Sequence, residues 1–134
     1  MKKIIVVLVS LLSLPALAQS QIFKADMKIN NKRAKLVVQY DKFLSRSSFI
    51  KVDDSTYSIN SVGQDRIEGR RLVQENGKTI VDENIIVMLN ADSETKAELK
   101  ELNPKVNCLD ADDVAVLIGN NINMKVLVGC GKTN

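Results

Sequence analysis

Asn107–Gly131, NCLDADDVAVLIGNNINMKVLVGCG, is the stretch on which the fold turns. It holds both cysteines, three aspartates behind the first of them, and two apolar runs. Its middle, Leu109 to Asn121, fits two periods. Val114, Leu117 and Ile118 share a helical face, Asp110, Asp112 and Asp113 suit a helix N-terminus, and Gly119 suits its end. Val114, Val116 and Ile118 also alternate as a strand does. The helical reading is preferred, with the aspartates as capping and dipole-matching residues. Asn123 to Val128 reads as a strand under either choice and carries Cys130 back towards Cys108.

Upstream, strand signals dominate. Ile22 to Asn30 alternates strictly: Phe23, Ala25, Met27 and Ile29 on one face, Lys24, Asp26, Lys28 and Asn30 on the other. That is a half-buried antiparallel strand. Asn30-Asn31-Lys32-Arg33 is a turn, after which Leu36, Val38 and Tyr40 point inward. Phe49 to Val52 and Thr56 to Val62 flank Asp53-Asp54-Ser55, a second hairpin. Ile67 to Glu75 and Lys78 to Val81 flank Asn76-Gly77, whose residues supply the positive φ of a type I′ turn. Ile85 to Leu89 is a continuous apolar run, as in a strand buried on both faces. Asp92-Ser93 caps a helix from Glu94 to about Leu102, with Thr95, Leu99 and Leu102 as its apolar stripe and Pro104 as its stop.

The expected fold is therefore α+β and β-rich. It is a small antiparallel sheet or partly open barrel of about six to eight strands, with one or two short helices near the C-terminal third and one disulfide.

The N-terminus gives an address. Lys2 and Lys3, the apolar run Ile4 to Leu14, Pro15 and Ala16-Leu17-Ala18 form a secretory signal peptide over residues 1–18, cleaved after Ala18. The apolar run is shorter than the roughly 20 residues of a spanning helix, so no membrane anchor is expected after cleavage. The short basic start suits a bacterial Sec signal and a periplasmic or secreted product. Residues 19–134 then form a single domain. In an oxidising compartment Cys108 and Cys130, the only cysteines, are expected to pair.

Charge excludes little by its sum and more by its kind. The chain has 19 Lys and Arg against 16 Asp and Glu; without Lys2 and Lys3 the balance is 17 to 16. Net charge gives no support for a nucleic-acid partner. Residues 19–78 carry 12 basic and 7 acidic side chains and residues 79–134 carry 5 and 9, halves expected to cancel within the fold. The absence of histidine removes Ser-His-Asp and Cys-His nucleophilic sites and histidine-bound metals. Asp110-x-Asp112-Asp113 lacks calcium-loop spacing. Asp53-Asp54 and Asp82-Glu83 read as turn acids rather than as a catalytic pair. No catalytic residue, metal site or cofactor is expected. Arg70 and Arg71 are the candidates for contact with an anion or a partner, set against simple cross-strand pairing with acids.

The function class that fits is a small non-enzymatic binding protein of the envelope, of immunity or inhibitor type, whose partner is another protein. The alternative is an accessory subunit of a secreted toxin or surface assembly. It draws on Val114 to Cys130, where a helix, a glycine and a strand ending in cysteine resemble the end of OB-fold toxin B subunits. That likeness carries no site residue.

Overall fold

Alternation in the sequence becomes inside and outside in the fold. The computed structural model describes residues 21–41, 48–90, 92–105 and 113–133. Eight strands follow one another: β1 (Gln21–Ile29), β2 (Lys32–Tyr40), β3 (Phe49–Val52), β4 (Ser55–Val62), β5 (Arg66–Glu75), β6 (Lys78–Leu89), β7 (Asp113–Asn120) and β8 (Lys125–Thr133). Each pairs antiparallel with the next, and β8 pairs with β1, so the sheet closes into an up-and-down barrel. The partly open alternative is thereby replaced by full closure, which removes the sheet edges along that seam.

One parity of each strand fills the barrel. Ala25, Met27 and Ile29 of β1 meet Leu36 and Val38 of β2, Ile50 of β3, Ile67 of β5 and Ile85 and Val87 of β6. An eight-stranded barrel is just wide enough for side chains to fill it. Burying each aliphatic side chain contributes roughly 1.5–3 kcal/mol before chain entropy is subtracted. The seam between β8 and β1 is tighter still. A Cβ on Gly129 would lie 2.5 Å from Ile29 Cγ1, and one on Gly131 would collide with the Asp26 carbonyl oxygen.

One element departs from the sequence reading. Residues 113–120 are strand β7, not helix, and Val114, Ala115 and Val116 are all buried. β7 lies between β6 and β8, with Val114, Val116 and Ile118 inside the barrel. Its outer residues Ala115 and Leu117 lie beneath the one helix among the described residues, α1 (Ser93–Leu102). Burial on both faces blurs the alternation that would have marked it as a strand. The likeness to OB-fold toxin subunits rested on a helix here and fails with it. A sequential eight-strand meander is also not the five-stranded Greek key of that fold. Asp113 opens β7 as a buried residue opposite Lys132, so it does not cap a helix. Asp110 and Asp112 lie outside the described residues.

The helix itself begins as its sequence dictates. Asp92 is the N-cap, its Oδ1 accepting the Thr95 backbone N–H at 2.8 Å. Only one residue of α1, Leu99, is buried. It packs outside the barrel on Ala115 and Val128, with Met88, Leu117 and Cys130 around them. Leu102, read as part of the inward stripe, is exposed. Cys130 sits on β8 opposite Lys28 and Ala115. Its expected partner Cys108, like the signal segment 1–18, lies outside the described residues.

Candidate functional site

Four connections of the meander gather at one end of the barrel, because alternate hairpins of an up-and-down sheet return to the same side. They are Asn30-Asn31, Asp53-Asp54, Asn76-Gly77 and Asn121–Met124. Asn30, Asn31, Asn76 and Gly77 all have positive φ, the backbone of type I′ turns, which Asn and Gly adopt at little cost. Asp53, at φ 50°, is tied to β2: its N–H donates to the Lys35 carbonyl at 3.0 Å and its Oδ1 accepts the Lys35 N–H at 2.9 Å. The rim is therefore short and held by hydrogen bonds.

Within this rim lies an open pocket of about 590 Å³. Ile29, Val52, Ile118 and Leu127 line its apolar part, and Lys32, Arg33, Asp53 and Asp54 are among its charged walls. At one side Tyr57, buried, donates its hydroxyl to Glu83 Oε1 at 3.1 Å, and Arg71 Nη1 stands 3.6 Å from the same oxygen. Burial, and then the Glu83 charge and hydrogen bond, push the Tyr57 hydroxyl well above the usual tyrosine range.

That shift has a direction in stability. Above pH 10 the unfolded chain releases the Tyr57 proton while the folded chain keeps it. The stabilisation is complete below the unfolded pKa and falls as pH rises towards the folded one, by up to about 1.4 kcal/mol per pH unit. Urea melts between pH 9 and about pH 11 should show a shallower alkaline loss in Tyr57→Phe than in wild type. Identical slopes would refute the coupling.

On the outer face the next residue pair does different work. Arg70 grips Asp82 with two bonds, Nε to Oδ1 at 3.0 Å and Nη2 to Oδ2 at 3.1 Å. The Arg70 hydrogen bond is the first cause holding the Asp82 carboxyl below its ordinary value, and it raises Arg70 in return. Asp82-Glu83 is thus not a turn, as its sequence suggested, but mid-β6, with its carboxylates on opposite faces. Arg70 and Arg71, the sequence candidates for anion contact, both face cross-strand acids. Only Arg71 also lines the rim pocket.

Asp82 also seats the last turn. Asn121 donates its N–H to the Asp82 carbonyl at 2.8 Å and its Nδ2 to Oδ1 at 3.3 Å. Asn120 Oδ1 accepts the N–H groups of Ile122 and Asn123 at 2.9 and 3.2 Å, an Asx-type turn. The result presents Ile122 and Met124 to solvent, Met124 at 82% exposure. Leu72 and Ile80 on the neighbouring β5–β6 ribbon are exposed as well, as is Val126 at the start of β8. Sequence reasoning missed this apolar rim. Its signal was there: Ile122 and Met124 are apolar residues inside a turn, where polar ones are the rule.

No known protein family, curated relative or solved structure matches this chain.

Proposed function

We propose that this chain is a small periplasmic or secreted binding protein of immunity or inhibitor type that grips another protein with its tight-turn rim and performs no catalysis. The observation that carries this reading is where the exposed apolar side chains lie. Among the described residues, Leu72, Ile80, Ile122, Met124 and Val126 lie towards the rim end of the barrel and Ile22 and Val62 towards the other, while Leu102 closes α1 beside Asn103, whose Nδ2 donates to Asn30 Oδ1 of the rim at 3.5 Å. Apolar groups gathered beside fixed charges are what a protein-binding patch requires, since the apolar part supplies affinity and the charged border supplies register. The barrel axis, filled by Leu36, Ile50, Ile85 and Val116, offers a scaffold rather than a ligand chamber. The signal-like N-terminus and the expected Cys108–Cys130 bridge suit an envelope address.

Photo-crosslinking in the native host tests it. A benzophenone side chain at Met124 should yield one discrete protein adduct, and the same probe at Val62, at the opposite end, should not. Met124→Lys and Ile122→Lys should weaken binding of the captured protein at least about tenfold. No adduct at Met124, or the same adducts from both positions, would overturn the proposal.

A further inference from the structure

The β5–β6 ribbon outgrows its neighbours. β5 pairs with β6 from Arg66 to Glu75, but the β4–β5 ladder ends at Ser58 opposite Arg70. Beyond Arg70, β5 therefore has a free edge on its β4 side. Hydrogen-bond parity identifies which peptide groups lie along it. The Leu89 N–H donates to the Asp65 carbonyl, in register with the Arg66–Met88 pair. Bonded and non-bonded pairs alternate in an antiparallel ladder, so odd-numbered residues of β5 turn their peptide groups towards β6. Leu72 and Gln74 turn theirs outward, to the free edge.

We infer that this edge docks a second copy of the same chain, β5 against β5 and antiparallel. Three registers satisfy the parity: Leu72 opposite Leu72 of the partner subunit, Gln74 opposite Gln74 of the partner subunit, or Leu72 opposite Gln74 of the partner subunit. The first two place Arg71 opposite Val73 or Gly77 of the partner subunit and set no acid of one chain opposite a base of the other. The third centres the two-fold axis on Val73. It sets Arg71 opposite Glu75 of the partner subunit, Glu75 opposite Arg71 of the partner subunit, and Val73 opposite its own copy. Two bonded pairs then exchange about four inter-chain hydrogen bonds, and opposite charges face each other twice. The edge is thus complementary to itself, as an isologous interface must be, while its charges discourage unrelated strands. Asp82 and Asn121 lie on the β6 side, so Ile122 and Met124 stay outside this contact; Leu72 is the one residue shared with the proposed partner patch, and the inference does not rest on that patch.

A contact of one short strand is small against a standard interface, so the dimer should be weak and concentration-dependent. Sedimentation velocity of the full processed chain, from about 5 μM to about 1 mM, should show monomer passing to dimer. Glu75→Arg places like charges opposite each other twice and should weaken association at least tenfold. Gln74→Pro removes an edge donor and no backbone bond to β6, losing there only the exposed side-chain bond from Gln74 Nε2 to Thr79 Oγ1, and should do the same. Glu75→Arg mixed with Arg71→Glu restores both opposite pairs and should form a heterodimer when neither variant self-associates. Arg71 also faces Glu83 of its own chain, so if Arg71→Glu does not fold, Gln74→Pro decides. A wild type that stays monomeric at about 1 mM, or a dimer that neither Glu75→Arg nor Gln74→Pro weakens, overturns the inference.

Discussion

Valine in place of Gly131 is expected to unfold the protein at 25 °C, while valine in place of Gly119 should leave its stability within about 0.5 kcal/mol. Both glycines sit in the last two strands, and only their surroundings differ. Gly131 lies where β8 meets β1, opposite Met27. A Cβ there would collide with the Asp26 carbonyl oxygen and come within 2.7 Å of Met27 Cα. These are backbone atoms, so no rotamer change relieves them. Relief requires β8 to move off β1, and that opens the barrel along the Ala25–Ile29 ladder. A loss above about 4 kcal/mol follows, comparable with the whole stability of a domain this size. Gly129→Ala should cost less, because its closest contact is a side-chain atom, Ile29 Cγ1, and the nearest backbone atom, the Lys28 carbonyl oxygen, stands at 3.0 Å. At Gly119 nothing lies within 4 Å of the added atom. Urea melts followed by far-ultraviolet circular dichroism rank the three. A Gly131→Val protein melting like wild type would mean that the β1–β8 seam is not closed.

The turns and the early strands were legible because a local rule governs each of them. Asn76-Gly77 announces a type I′ hairpin since two successive positive φ angles admit few other residues, and both angles are positive in the fold. Phe23, Ala25, Met27 and Ile29 announce a strand because only one face of β1 is buried deeply. Asp92 announces the start of α1 because its side chain takes up an N–H that the helix cannot satisfy.

What was not legible depends on residues far apart in sequence. β7 looks helical because Ala115 and Leu117 are apolar for the sake of Leu99, which belongs to another element. Closure is carried by the pairing of residues 25–29 with 129–133, which no local pattern encodes. The Tyr57–Glu83 bond joins residues 26 apart and exists only once the β4–β5–β6 register is set. For the same reason Asp82-Glu83 passed for a turn: two adjacent acids in a strand make sense only when Arg70 and Tyr57 are placed on opposite faces to receive them.

The separate burial of α1 leads to the second large effect. Ile85→Ala should cost about 3–5 kcal/mol and lower the stability of the whole barrel, whereas Leu99→Ala should cost about 2 kcal/mol and loosen the helix first. Ile85 has no exposed surface and lies in the cluster shared by seven of the eight strands. Truncating it leaves a cavity inside a closed wall, where neighbours held by two ladders each have little freedom to collapse. Leu99 is as deeply buried but belongs to a cluster of three buried residues on the outer wall. A ten-residue helix is marginal in water without tertiary packing, and Leu99 is its one buried residue. Its removal should therefore release α1 as a local opening while the ladders persist. Hydrogen exchange separates the two cases. In Leu99→Ala, amides of residues 96–103 should lose protection while those of β2 and β6 keep theirs. In Ile85→Ala, protection should fall across all strands together. Uniform loss in both variants would mean that helix and barrel form one cooperative unit, and that the outer cluster stabilises the barrel as directly as its core does.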